Sequence, residues 1–87
     1  MFRMTIEDVF SIRGRGTVAT GRVESGQLRV GDEARVNGTL AVTVDGIEAF
    51  RKELTEANSG DNIGVLFRAL ERSQLNRGDV LTAPNLV

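Results

Sequence analysis

Three glycines and three arginines fall within residues 11 to 23, SIRGRGTVATGRV, and phosphate binding is the first chemistry such a run suggests. Gly14, Gly16 and Ala19 stand at the offsets of a permissive dinucleotide fingerprint. That fingerprint works only where a strand turns into a helix, so that the helix N-terminus faces a pyrophosphate. Here a β-branched run, TVATGRV, follows instead, and the lysine and hydroxyl residue that end a mononucleotide loop are absent. The stretch therefore reads as a hairpin turn running into a strand. Gly14 and Gly16 supply positive φ, and Arg15 is a solvated turn residue.

Carboxylates are the next candidates. Glu7 and Asp8 are adjacent in IEDVF, residues 6 to 10. Neighbours on a strand face opposite sides, so these two form no acid pair unless a bulge turns one of them. Glu48, between Ile47 and Phe50, is either a rim carboxylate or an ordinary outward side chain. In SGDN, residues 59 to 62, Asp61 or Asn62 is suited to bonding nearby backbone amides. The charged RKE run at 51 to 53 reads as a solvated turn. Phe2, Phe10, Phe50 and Phe67 lack the spacing of a base-stacking platform and are assigned mostly to the core.

The wider composition narrows the chemistry. The 87 residues include no histidine and no cysteine, which removes the commonest general base, thiol nucleophiles and thiolate metal sites. No enzymatic activity and no cofactor are expected. Net charge is −1, so no global field draws the chain to nucleic acid or to an acidic membrane. No apolar run approaches the ~20 residues that span a bilayer. The start, MFRMTIED, lacks the apolar core of a signal peptide, which makes a cytoplasmic location the expectation.

The elements that must position these residues are strands. Phe2, Met4 and Ile6 alternate with Arg3, Thr5 and Glu7. GTVATGRVE is a second strand, Glu33 to Val36 a third, and LAVTVDGIEAF holds another, with Gly46 a bulge or close-packing point. DNIGVLFRAL is apolar enough to bury both faces, and RGDVLTA closes the series ahead of Pro84. Only RKELTEANS and LERSQLN have room for a helical turn. Six or so strands with evenly spaced turns predict an all-β domain over residues 1–87. A small closed antiparallel barrel is favoured because it leaves no exposed sheet edge.

Residues 6 to 33, IEDVFSIRGRGTVATGRVESGQLRVGDE, closely resemble the second domain of elongation factor Tu, a Greek-key-like barrel shared by translational GTPases. GIEAFRKELTEANSGDNIGVLFRAL (46 to 70) and RGDVLTAP (77 to 84) match in the same order. The resemblance implies a surface that holds the aminoacylated 3′ end of transfer RNA. Glu48 matches the acid packed against the terminal adenosine, and Ile12, Val18 and Leu66 match the lining of the adenine pocket. Main-chain groups at Phe50, Arg51 and Asn62 correspond to those that meet the ester and amino group of the attached amino acid. Glu7, Asp8, Phe10 and Thr20 fall around the amino-acid side chain.

The chain also departs from that family. The 87 residues contain neither a phosphate loop nor the guanine-reading NKxD, and no counterpart of the third domain that grips the acceptor stem. NGTLAV is shorter than the usual loop, and Arg13 stands where the family has a small or hydroxyl side chain. Two partner classes follow: aminoacyl-tRNA or the ribosome, held weakly, or a protein partner of a barrel that has abandoned RNA. Met1 and the short tail NLV are compatible with a complete small protein, and an excised domain of a longer factor is the other reading.

Overall fold

The computed structural model describes residues 1–84; the NLV tail lies outside the described residues. Among the described residues there are ten strands and one short 3-10 turn. They are β1 (Phe2–Ile12), β2 (Gly16–Ser25), β3 (Gln27–Arg29), β4 (Glu33–Val36), β5 (Leu40–Thr43), β6 (Gly46–Ala49), β7 (Lys52–Leu54), β8 (Glu56–Asn58), β9 (Asn62–Phe67) and β10 (Val80–Ala83), with the turn at Arg72–Gln74. Eight form one sheet in the order β5-β4-β10-β1-β2-β9-β6-β7, and β3 and β8 pair separately. Every strand pairing among the described residues is antiparallel.

The strand order forces the sheet to curl. β5 and β6 stand six strand positions apart, yet only Val44 and Asp45 join them. In a flat sheet those strands would lie roughly 29 Å apart at about 4.8 Å per spacing. A two-residue connection spans about 11 Å at most. The result is a strongly curled half-barrel, the all-β antiparallel architecture that the alternation predicts. Val44 reinforces the closure: its N–H donates to the Asp32 carbonyl at 2.9 Å, and its carbonyl accepts from Gly31 N–H at 2.8 Å.

The core lies inside the curl. Phe2, Met4 and Ile6 from β1 meet Val65 and Phe67 from β9, Ile47 from β6 and Leu81 from β10, all almost fully buried. Truncating any of the larger ones to alanine costs about 2–5 kcal/mol by general experience with such cores. Thr17 is the one buried polar side chain among the described residues, and its hydroxyl donates to the Leu70 carbonyl at 2.8 Å. No buried side-chain polar atom among them lacks a partner.

Several expectations need correction. The strand count exceeds six because β3, β7 and β8 are three residues each, too short for alternation to register. RKELTEANS belongs to β7 and β8 rather than to a helical turn, whereas LERSQLN does contain the 3-10 turn. Of the four phenylalanines only Phe2 and Phe67 are core; Phe10 and Phe50 are 48% and 91% exposed.

Two register shifts interrupt the β1–β2 pair. Arg3 faces Ser25 while Met4 faces Val23, leaving Glu24 as an extra residue on β2. Its carboxylate folds back to accept from the Thr5 hydroxyl at 2.6 Å, the Thr5 N–H at 3.0 Å and Arg3 Nε at 3.1 Å. The Thr5 hydroxyl, and then Arg3, hold its pKa below the ordinary 4.5. Because the folded-state value is depressed, this contribution is fully present above that ordinary value and is lost as pH falls through the lowered one. Glu24→Gln should therefore lower the midpoint of denaturant unfolding at pH 7 and flatten its decline below pH 4.5. A parallel decline in both proteins would show that Glu24 does not anchor the bulge.

Candidate functional site

The second register shift bears on the acids. Ile6 faces Gly21 and Asp8 faces Thr20, so Glu7 is the extra residue, this time on β1. A bulge here is the exception under which adjacent carboxylates need not oppose each other. Arg77 fixes it: its Nε donates to the Glu7 carbonyl at 3.0 Å and lies 4.0 Å from Oδ1 of Asp8.

From this bulge outward, registers align side chains across the convex face of β1, β2, β9 and β6. One row runs Phe10, Val18, Leu66, Gly46, and the next runs Asp8, Thr20, Gly64, Glu48. Ile12 lies opposite Gly16 at one end of this face, and Asn62 lies opposite Arg22 at the other. All four strands contribute, and three cross-strand pairings set the spacing.

The two rows differ in accessibility. Glu7, Thr20, Glu48, Phe50, Asn62 and the backbone of Gly64 line an open depression of about 290 Å³. Gly64 adds no side chain to that depression, and a Cβ there would crowd Val18 Cγ1 at 3.1 Å. The apolar row beside it is shut: Val18 and Leu66 are 8% and 4% exposed although they lie outside the inward core cluster. Of the residues matched to an adenine pocket, Val18 and Leu66 are thus nearly inaccessible. Ile12 is half-buried, and Phe10 remains largely exposed.

Sequence reasoning missed Arg15. It is not merely a solvated turn residue, since its Nη2 lies 3.5 Å from Oε1 of Glu48. No local motif announces that pair, because 33 positions separate the two and only the β2-β9-β6 order brings them together. The glycines flanking Arg15 behave as expected. Gly14 has φ 78° and Gly16 φ 131°, and a side chain at Gly16 would strike the Phe67 carbonyl. Asp61 is the capping residue of SGDN, accepting the Asn58 N–H at 2.9 Å. Among the described residues no three acidic side chains converge to hold a metal ion. No helix among them is long and apolar enough to cross a membrane.

The β6–β7 hairpin closes the site with strained backbone. Ala49 pairs with Lys52, leaving Phe50 and Arg51 as a two-residue turn with φ 52° and 64°. Two positive φ values define the tight hairpin turn that normally carries asparagine and glycine. A phenylalanine held there costs on the order of 1 kcal/mol or more, and at 91% exposure it recovers almost nothing by burial.

Residues 16–82 match the sequence family described as Elongation factor Tu domain 2, and the chain belongs to that family. The matched span holds Val18, Thr20, Glu48, Phe50, Arg51, Asn62 and Leu66. Glu7, Asp8, Phe10 and Ile12 precede it and reach the same face through β1 pairing with β2.

Phe50→Asn should stabilise the fold by up to about 1 kcal/mol, since asparagine tolerates the left-handed region and little packing is lost. Denaturant midpoints of the two proteins measure it. An unchanged or lowered midpoint would mean that Phe50 is held by contacts the free chain makes.

Proposed function

We propose that this translation-factor domain 2-like barrel is a non-catalytic binding module whose convex β1-β2-β9-β6 face receives the aminoacylated 3′ end of transfer RNA. The observation that carries this reading is the convergence, from four strands, of an apolar row and an adjoining depression rimmed by Glu48, Thr20 and Asn62. A base needs an apolar bed. The sugar and aminoacyl group need polar atoms beside it that read shape without sequence preference. The exposed, strained Phe50 turn supports the same reading, because it sets Phe50 at the edge of the depression at a cost in stability.

One domain offers a small contact area, so a dissociation constant on the order of millimolar, about −4 kcal/mol, is the scale to test. Titrating the isotope-labelled chain with a short aminoacylated RNA ending in CCA should shift the amides of Val18, Glu48, Phe50, Asn62 and Leu66 together. Glu48→Ala combined with Asn62→Ala should weaken that response several-fold without unfolding the chain, both side chains being partly or fully exposed. Shifts confined to other strands, or a double variant that binds equally well, would remove the assignment. Saturable shifts with a protein extract but none with RNA would favour a protein partner for the barrel.

A further inference from the structure

Arg15 links the two halves of the candidate site. It sits in the β1–β2 turn, and its carboxylate partner Glu48 sits two strands away on β6. β9 lies between, so the two side chains meet above the outer row to which Val18 and Leu66 belong. That placement accounts for a feature the core does not explain: two apolar residues on the convex face are nearly inaccessible. Arg15 and Glu48 are themselves about half- and one-third-exposed, so the pair is a surface one. Exposed pairs of this kind contribute little to stability and are readily exchanged for another partner.

The surroundings of the turn say what that partner is. Arg13 is exposed two residues away, and Arg68 follows β9 at the same end. A Cβ on Gly16 would lie 2.8 Å from the Arg68 Cα, so the turn rests directly on Arg68 backbone. Neither Arg13 nor the Arg68 side chain makes an ion pair among the described residues. Asp45, the nearby acid at this end, already accepts the Arg68 N–H at 2.8 Å. Three guanidinium groups thus share one end of the site with few anions to answer them.

We propose that Arg15 is the specificity-determining residue of this face: it covers the apolar row by pairing with Glu48, and it admits a nucleotide that brings a phosphate in preference to a bare nucleoside. The inference rests on the RNA reading above. A nucleoside that displaces Arg15 leaves the guanidinium without an anion. A nucleotide replaces the carboxylate with a phosphate, which a planar guanidinium binds well. Arg13 and Arg68 add to the field that holds it.

The test uses adenosine and adenosine 5′-monophosphate as probes, titrated into the labelled wild-type chain and Arg15→Gln. The wild type should prefer the monophosphate, and Arg15→Gln should reduce that preference about three- to fivefold, the range of one exposed ion pair. Adenosine should bind the variant as well as or better than the wild type. In the ligand-free chain, Glu48→Gln should move the Arg15 Nε–Hε resonance. Arg15→Lys, which keeps the charge and a folded turn, should retain part of the preference. An undiminished preference in Arg15→Gln, or an Arg15 resonance unmoved by Glu48→Gln, overturns the role of Arg15 while leaving the RNA reading intact. Failure of the wild type to bind either probe or a CCA-ended RNA overturns both.

Discussion

The two-residue link from β5 to β6 is the constraint on which the rest of the structure depends. It draws together strands that stand six positions apart in the sheet, and it can do so only by curling everything between them. Val44 is fully buried and bonded through both backbone groups to the Gly31–Asp32 turn. Asp45 extends the clamp to the far side: its N–H donates to the Leu66 carbonyl at 2.9 Å, and its carboxylate accepts from Arg68. Two consecutive residues therefore tie the start of β4 to the end of β9, and the inward faces of the intervening strands are left to build one core.

The same curl creates the convex face. Because β9 is buried on both sides, Val65 and Phe67 point into the core while Leu66 lies in the outer row. Val18 and Leu66 on that outward face are only 8% and 4% exposed, and Arg15 and Glu48 pair across the same face at 3.5 Å. Gly64 and the bulge at Glu7 then open the surface beside that row. The inward faces of these four strands thus build the core, while their outward faces carry the apolar row and the depression.

Much of the fold was legible in the residues. The alternation of Phe2, Met4 and Ile6 marks an inward face, the run from Ile63 to Phe67 marks a strand buried on both sides, and the glycines around Arg15 mark a hairpin. The three-residue strands were not legible, because alternation needs more residues than they have. Nor was the Phe50–Arg51 turn, since neither residue favours positive φ and the hairpin geometry overrides their preference. The grouping of Glu7, Thr20, Glu48 and Asn62 followed from family likeness rather than from spacing. Cross-strand register alone brings them to one depression. The Arg15–Glu48 pair depends on strand order, which no local pattern encodes.

The central claim is that the terminal base of an RNA 3′ end beds on the outer apolar row. Isotope-filtered nuclear Overhauser contacts between adenine ring protons of a CCA-ended RNA and the methyl groups of the labelled chain test it most directly. The account predicts contacts to Val18 and Leu66, with Ile12 at the margin. Contacts to Leu40 and Val42 on the edge strand β5, with none to Val18 or Leu66, would contradict it.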